Sequence, residues 1–197
     1  MPIHSKKPMT QPLLIVGLGG TLRDGSSSEQ ALKIALAHAA SMGCNTQLLA
    51  GPDLLLSHYD PGRPERSPAE AALVDALRRA DGVILASPGY HGGISGLVKN
   101  AIDYIEDMRS DEQVYLSGRA VGCIVCAHGA QAMGTTLSSM RDIIHSLRGW
   151  PTPYGAAINV MHKPFGGPDT PALPEAVQAC QTVAEEVVQF AKAWRKS

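Results

Sequence analysis

Apolar and polar residues follow two different rhythms along this chain. Short, nearly continuous apolar runs occur at "LLIVGL" (residues 13–18), "NTQLLA" (45–50), "GVILAS" (82–87) and "AVGCIVCA" (120–127), with a weaker one at "TPYGAAIN" (152–159). Runs of this length bounded by turn residues are strand candidates. Between them the period changes to that of a helix. Ala31, Ile34, Ala35 and His38 fall at helical spacing, and Gly43 stops that helix. "PAEAALVDALRRAD" follows Ser67 as an N-cap, with Pro68 and Glu70 suited to the first turn. Further helices are expected in "LVKNAIDYIEDM", in "MGTTLSSMRDIIHSLRG" closed by Gly149, and in "ALPEAVQACQTVAEEVVQFAKAWRK" with Pro174 near its start.

Five strands alternating with helices predict an α/β fold. The sheet should be mostly parallel and covered on both faces, because each crossover is right-handed and must bury an apolar strand. No repeat or low-complexity linker interrupts the rhythm. Residues 13–197 therefore read as one domain, after a lead-in, "MPIHSKKPMTQP" (1–12), expected to be frayed or disordered.

Charge and composition remove several classes of function. The net charge is −1 and no basic run exceeds two residues, so there is no electrostatic footprint for nucleic acid. No apolar run approaches the roughly 20 residues that span a membrane, and the lead-in lacks the apolar middle of a signal peptide. Cys44, Cys123, Cys126 and Cys180 have neither metal nor disulfide spacing. Cys123 and Cys126 are separated by an odd number along a strand, which puts them on opposite faces and prevents pairing. A cytoplasmic setting and no metal site are expected.

In a sheet of this kind ligands bind beyond the carboxyl ends of the strands, where the winding reverses. Three loops there are unusual. After the first strand, "GLGGTLRDGSSSEQ" combines hydroxyls and one arginine with a helix start, a set suited to a phosphate. It lacks the P-loop Gly-Lys-Ser/Thr, and it is not G-x-G-x-x-G. After the third strand, "SPGYHGGISGLVKN" is expected to turn sharply at Pro88 and Gly89. Gly92, Gly93 and Gly96 there remove side chains where a planar ligand would lie against backbone, and Tyr90 and His91 offer a stacking face with polar tips. After the fourth strand, "CAHGAQAMGTT" brings His128, Gly129 and Gln131 towards the same place.

Those motifs carry a resemblance. Gly-x-Thr-x-Arg-x-x-Ser in "GGTLRDGS", then "SPGYHGGISGLVKNAID" with Pro88, Tyr90, Gly96, Lys99 and Asn100, then the glycine-containing turn after the fourth strand, resemble the NADPH-dependent FMN reductase family. That flavodoxin-like group includes flavin reductases of two-component monooxygenases, azo-reductases and quinone reductases. The resemblance spans roughly residues 13–159. It implies a five-stranded sheet in the order 2-1-3-4-5, FMN as cofactor, and NADPH or NADH as co-substrate. It implies that Thr21, Arg23, Ser26, Ser27 and Ser28 hold the FMN phosphate and that Pro88, Gly89, Tyr90 and His91, with Gly92, line the ring. His128, Gly129 and Gln131 would face the pyrimidine end. Gly89 stands where many members have glutamate or another larger residue, and Ser95 where many have proline.

On this basis the chain is expected to be an oxidoreductase that transfers hydride from a nicotinamide to FMN. The reduced flavin would then serve a monooxygenase partner or reduce small acceptors such as quinones, azo dyes or metal ions. No side chain is assigned as a catalytic acid, because hydride transfer needs alignment more than a protein proton. A flavodoxin-type electron carrier is the rival, and the near-zero charge speaks against one that docks basic proteins. Ile102, Tyr104, Ile105 and Met108 on the third helix, and Met133, Leu137, Met140, Ile143, Ile144 and Leu147 on the fourth, leave an apolar excess. This excess and the resemblance point to a homodimer or homotetramer.

Overall fold

The computed structural model describes residues 11–167 and 170–196; most of the expected frayed lead-in lies outside them. Among the described residues six strands and five α-helices follow one another: β1 Leu14–Gly19, α1 Ser27–Ser41, β2 Asn45–Ala50, α2 Pro68–Arg79, β3 Gly82–Tyr90, β4 Gly93–Ile94, α3 Gly96–Asp103, β5 Ala120–Ala127, α4 Ala130–Ser146, β6 Trp150–Asn159 and α5 Pro174–Lys196. The sheet runs β2-β1-β3-β5-β6, all parallel, with the two-residue β4 antiparallel to the end of β3. Leaving out β4, this is the expected order 2-1-3-4-5.

Strand alternation sorts the core into two halves. Ile15, Ile84, Ile124 and Cys126 point to one face, where α1 and α5 bury Leu32, Ala35, Val183 and Val187. Val16, Val83, Leu85, Cys123 and Val125 point to the other, beneath α2, α3 and α4. Cys123 and Cys126 thus lie on opposite faces, as strand periodicity requires. Among the described residues, no helix is long and apolar enough to cross a membrane.

Three local readings are corrected. The expected sharp turn at Pro88 and Gly89 is instead three further residues of β3, and the chain reverses at His91 and Gly92. Both have positive φ, 52° and 81°, which is the pattern of a two-residue type I′ hairpin turn. The third helix does not run through Met108: after Asp103 it tightens into a 3₁₀ turn, Tyr104–Met108. Lys99 pairs with Asp103, while Asp107, in the 3₁₀ turn, pairs with Arg66 at 2.7 Å. The apolar excess is also smaller than the sequence suggests. Ile102, Tyr104, Ile105, Met108, Met140 and Ile144 are buried in the chain's own core, leaving Met133, Leu137, Ile143 and Leu147 half-buried.

Two polar devices fix the surroundings of the sheet. Glu70 forms a capping box with Ser67 at the start of α2. It also accepts from Arg63 at 2.6 Å, and the Tyr104 hydroxyl lies 2.7 Å from it. Arg119, just before β5, is 2% exposed and donates to the carbonyls of Arg78, Ala80 and Tyr115 at 2.8, 2.9 and 2.9 Å.

Candidate functional site: a cleft at the carboxyl ends of β1, β3 and β5

The loops after β1, β3 and β5 meet around a half-open cleft of about 230 Å³. It is lined by Thr21, Arg23, Ser26, Ser27 and Ser28 from the first loop and by Pro88, Gly89 and Tyr90 from the third strand. Cys126, Ala127, His128, Gly129 and Ala132 come from the end of β5 and the start of α4, and Val160 from the end of β6. Most of the polar groups sit on the β1 side, and the β5–β6 side is apolar apart from His128.

On the β1 side, Ser26 is the N-cap of α1, its Oγ accepting from the Glu29 N–H at 3.4 Å. Thr21 Oγ1 accepts from the Arg23 N–H at 3.1 Å and so shapes the turn that carries the arginine. The arginine side chain is exposed, and among the described residues no carboxylate meets it. One serine completes the cap, so the remaining hydroxyls, the first amides of α1 and the guanidinium are available to an anion.

The opposite wall is backbone. Ser87 Oγ accepts the Ser95 N–H at 3.0 Å, which holds the base of the β3–β4 hairpin, and Ser95 in turn caps α3. Past Ala86, the last β3 partner of β1, β3 has β5 on only one flank, so a proline at position 88 is tolerated there. Gly89 has a reason of its own: a Cβ at this position would lie 3.0 Å from both Ala127 Cβ and Thr136 Oγ1, and 3.3 Å from the Ala132 carbonyl. A larger residue here would push α4 away from the cleft. At the hairpin tip, a Cβ on Gly92 would lie 3.0 Å from Thr135 Oγ1, so the tip rests on α4. Thr136 Oγ1 is buried and has no hydrogen-bond partner among the described residues.

Ten of the sequence-derived site residues line the cleft: Thr21, Arg23, Ser26, Ser27, Ser28, Pro88, Gly89, Tyr90, His128 and Gly129. Three do not. His91 and Gly92 form the hairpin tip, and Gln131 stands exposed in the first turn of α4, its carbonyl accepting from Thr135 Oγ1 at 2.9 Å. Sequence reasoning overlooked Val160 and Ala132, which look like ordinary core residues, and gave Cys126 no part in the site. Burial holds the Cys126 thiol well above the usual thiol range, with neighbouring Cys180 adding to the effect. This thiol is therefore a wall and not a nucleophile. Among the described residues no cluster of His, Cys, Asp and Glu is fit for a metal ion.

A parallel sheet in the order 2-1-3-4-5, with an anion-suited loop after its first strand, defines a flavodoxin-like α/β protein. The profile of the family described as NADPH-dependent FMN reductase matches residues 13–162, and the chain belongs to that family. It is 36% identical to a quinone reductase of Escherichia coli over 99 residues, 49% of this chain and 52% of the relative, so the chain spans about half the length of that relative. An NAD(P)H-dependent FMN reductase of Pseudomonas aeruginosa is 28% identical over 121 residues, 61% of this chain and 63% of the relative. Among solved structures, a flavoenzyme NAD(P)H:(acceptor) oxidoreductase from Paracoccus denitrificans superposes with a TM-score of 0.72 at 20% identity, covering 92% of this chain and 98% of the other. That likeness is one of fold.

Proposed function

We propose that this protein is an NAD(P)H-dependent oxidoreductase that holds FMN in the cleft and passes electrons from a nicotinamide to a small acceptor. The observation that carries this reading is the division of the cleft. Hydroxyls, helix amides and a free guanidinium stand at one end, and Pro88, Ala127, Ala132 and Val160 form flat walls at the other. This donor set fits a ligand with a phosphate tail and a planar ring. When bound, FMN supplies the ring that accepts hydride. The chain's own task is to fix that ring. Arg23 and the start of α1 neutralise the phosphate, the hairpin and the α4 start set the ring plane, and Tyr90 at the mouth offers a face for stacking.

The names of relatives support the acceptor side, since the matched proteins include quinone reductases and azoreductases. Met133, Leu137, Ile143 and Leu147 on α4 are the surface we assign to a homodimer contact. The test is direct. Purified protein should carry flavin absorbance, or take up added FMN, and should oxidise NADPH or NADH in the presence of a quinone, eluting with at least dimeric mass by light scattering. Absence of FMN binding would overturn the reading. Turnover only with excess free FMN would instead mark release of reduced flavin, as a monooxygenase partner requires.

A further inference from the structure

The loop after β6 has no part in the phosphate end of the cleft, yet it supplies Val160 to the wall. The Val160 N–H donates to the Ala127 carbonyl at 3.0 Å, which ties this loop to the end of β5. The next residues form a tight turn, closed by the Lys163 N–H donating to the Val160 carbonyl at 3.3 Å. Lys163 sits there with φ 48°, exposed. Backbone therefore fixes a lysine one turn away from a cleft-lining residue.

The company kept by the other cations makes this lysine unusual. Among the side chains the structure describes, every other lysine and arginine except Arg23 meets a carboxylate, a backbone carbonyl or an aromatic ring. Arg23 and Lys163 meet none; Arg23 lines the cleft, and Lys163 stands three residues beyond Val160, which lines it too. They stand on opposite sides of it, because β3 and β5 separate β1 from β6. Three strand spacings put the two loops on the order of 14 Å apart. Residues 160–167 carry no carboxylate, and the loop's one acidic residue, Asp169, lies outside the described residues.

We propose that Lys163 is a second anion-recognising residue of the cleft and holds a phosphate of the nicotinamide dinucleotide. This rests on the function proposed above. A nicotinamide facing a ring that lies over β3 and β5 can send its phosphates towards β1 or towards β6. The β1 side would already hold the flavin phosphate beside Arg23, and a second anion there would meet like-charge repulsion. The β6 side offers a cation with no other partner among the described residues. Lys163 is thus a binding and specificity residue for the co-substrate and leaves FMN binding alone.

The experiment compares wild type, Lys163→Gln and Lys163→Arg by calorimetric titration of the FMN-loaded protein with NADP+ and NAD+. Steady-state KM for NADPH and NADH, FMN affinity and melting temperature are measured beside it. For Lys163→Gln, dinucleotide Kd and KM should rise about five-fold, the scale of one exposed charge contact. FMN affinity and melting temperature should stay at wild-type values, and arginine should restore dinucleotide binding. A rise for both dinucleotides places the pyrophosphate at Lys163; a rise for the 2′-phosphorylated one alone places that phosphate there. Unchanged Kd and KM for both, in a protein whose wild type oxidises either, would overturn the assignment. A wild type that binds no FMN and oxidises neither would bring down the underlying function instead.

Discussion

Two turn-rich loops leave the same edge of the sheet, and they treat their polar groups in opposite ways. In residues 51–67, after β2, most charged or aromatic side chains are engaged, the exposed His58 and Glu65 apart. Arg66 bonds Asp107 and lies over the rings of Tyr59 and Tyr104, 4.8 and 5.3 Å from their centroids. Arg63 reaches Glu70, and Asn100 clamps the backbone at Ser57 and Tyr59. In residues 20–26, after β1, Thr21 and Ser26 spend their hydroxyls on the local backbone, and the Arg23 guanidinium they position meets no carboxylate among the described residues. The first loop is fastened; the second is prepared. Polar groups that a fold positions without satisfying are where a ligand is expected, since buried or ordered donors elsewhere find partners.

The contrast breaks most visibly at Glu70. Glu70→Ala leaves Arg63 and the Ser67 N–H without their acceptor and the Tyr104 hydroxyl with the Ser57 carbonyl alone, and should lower stability by about 3 kcal/mol while FMN affinity stays within two-fold or so. Urea unfolding and FMN titration of the same variant check both halves. Burial pushes the Glu70 carboxyl up, but the bonds from Tyr104, Ser67 and Arg63 outweigh it and bring the group to about 2 from its ordinary 4.5. A depressed folded pKa means its stabilisation is complete above pH 4.5 and fades as pH falls from 4.5 towards 2. The wild type should lose stability across that window more steeply than the variant.

Arg23→Ala is the mirror image. It should weaken FMN binding by roughly 1.5–3 kcal/mol, the worth of a hydrogen bond to a charged group, with an unchanged melting temperature. An unaltered FMN titration would remove the arginine from the phosphate site. The smallest effect is expected at the two cysteines of β5. Burial pushes the Cys123 thiol up to about 12 and Cys126 further still. Cys123→Ser and Cys126→Ser should therefore leave turnover within a few-fold of wild type, and neither thiol should react with an alkylating reagent before denaturant is added. Rapid labelling of either in the native protein would count against a closed β5.

The parts of this molecule that were legible in its sequence are those governed by period. Apolar runs fixed the five long strands, and Ser67 with Glu70 announced α2 by cap chemistry alone. The phosphate-suited loop was legible because it carries more hydroxyls than a cap uses. The hairpin after β3 was not, because a proline inside a strand reads as a break. Only the missing β1 partner beyond Ala86 makes Pro88 acceptable there. The end of α3 was hidden for a related reason: Tyr104 is apolar enough to continue a helix, but its hydroxyl is drawn to Glu70 and Ser57 from distant parts of the chain. Val160 gave no local signal at all; it faces the cleft only because β6 lies beside β5.

Arg119 carries a consequence for how the chain comes together. The carbonyls of Arg78 and Ala80, at the end of α2, find their donor in a residue about forty positions downstream. During synthesis from the N-terminus, α2 can form early, but its last turn stays open to water until β5 arrives. The same arrival covers the flank of β3 that β5 pairs with. One guanidinium thus makes the closing of a helix wait on the docking of a strand, and the two are gained, or lost, together.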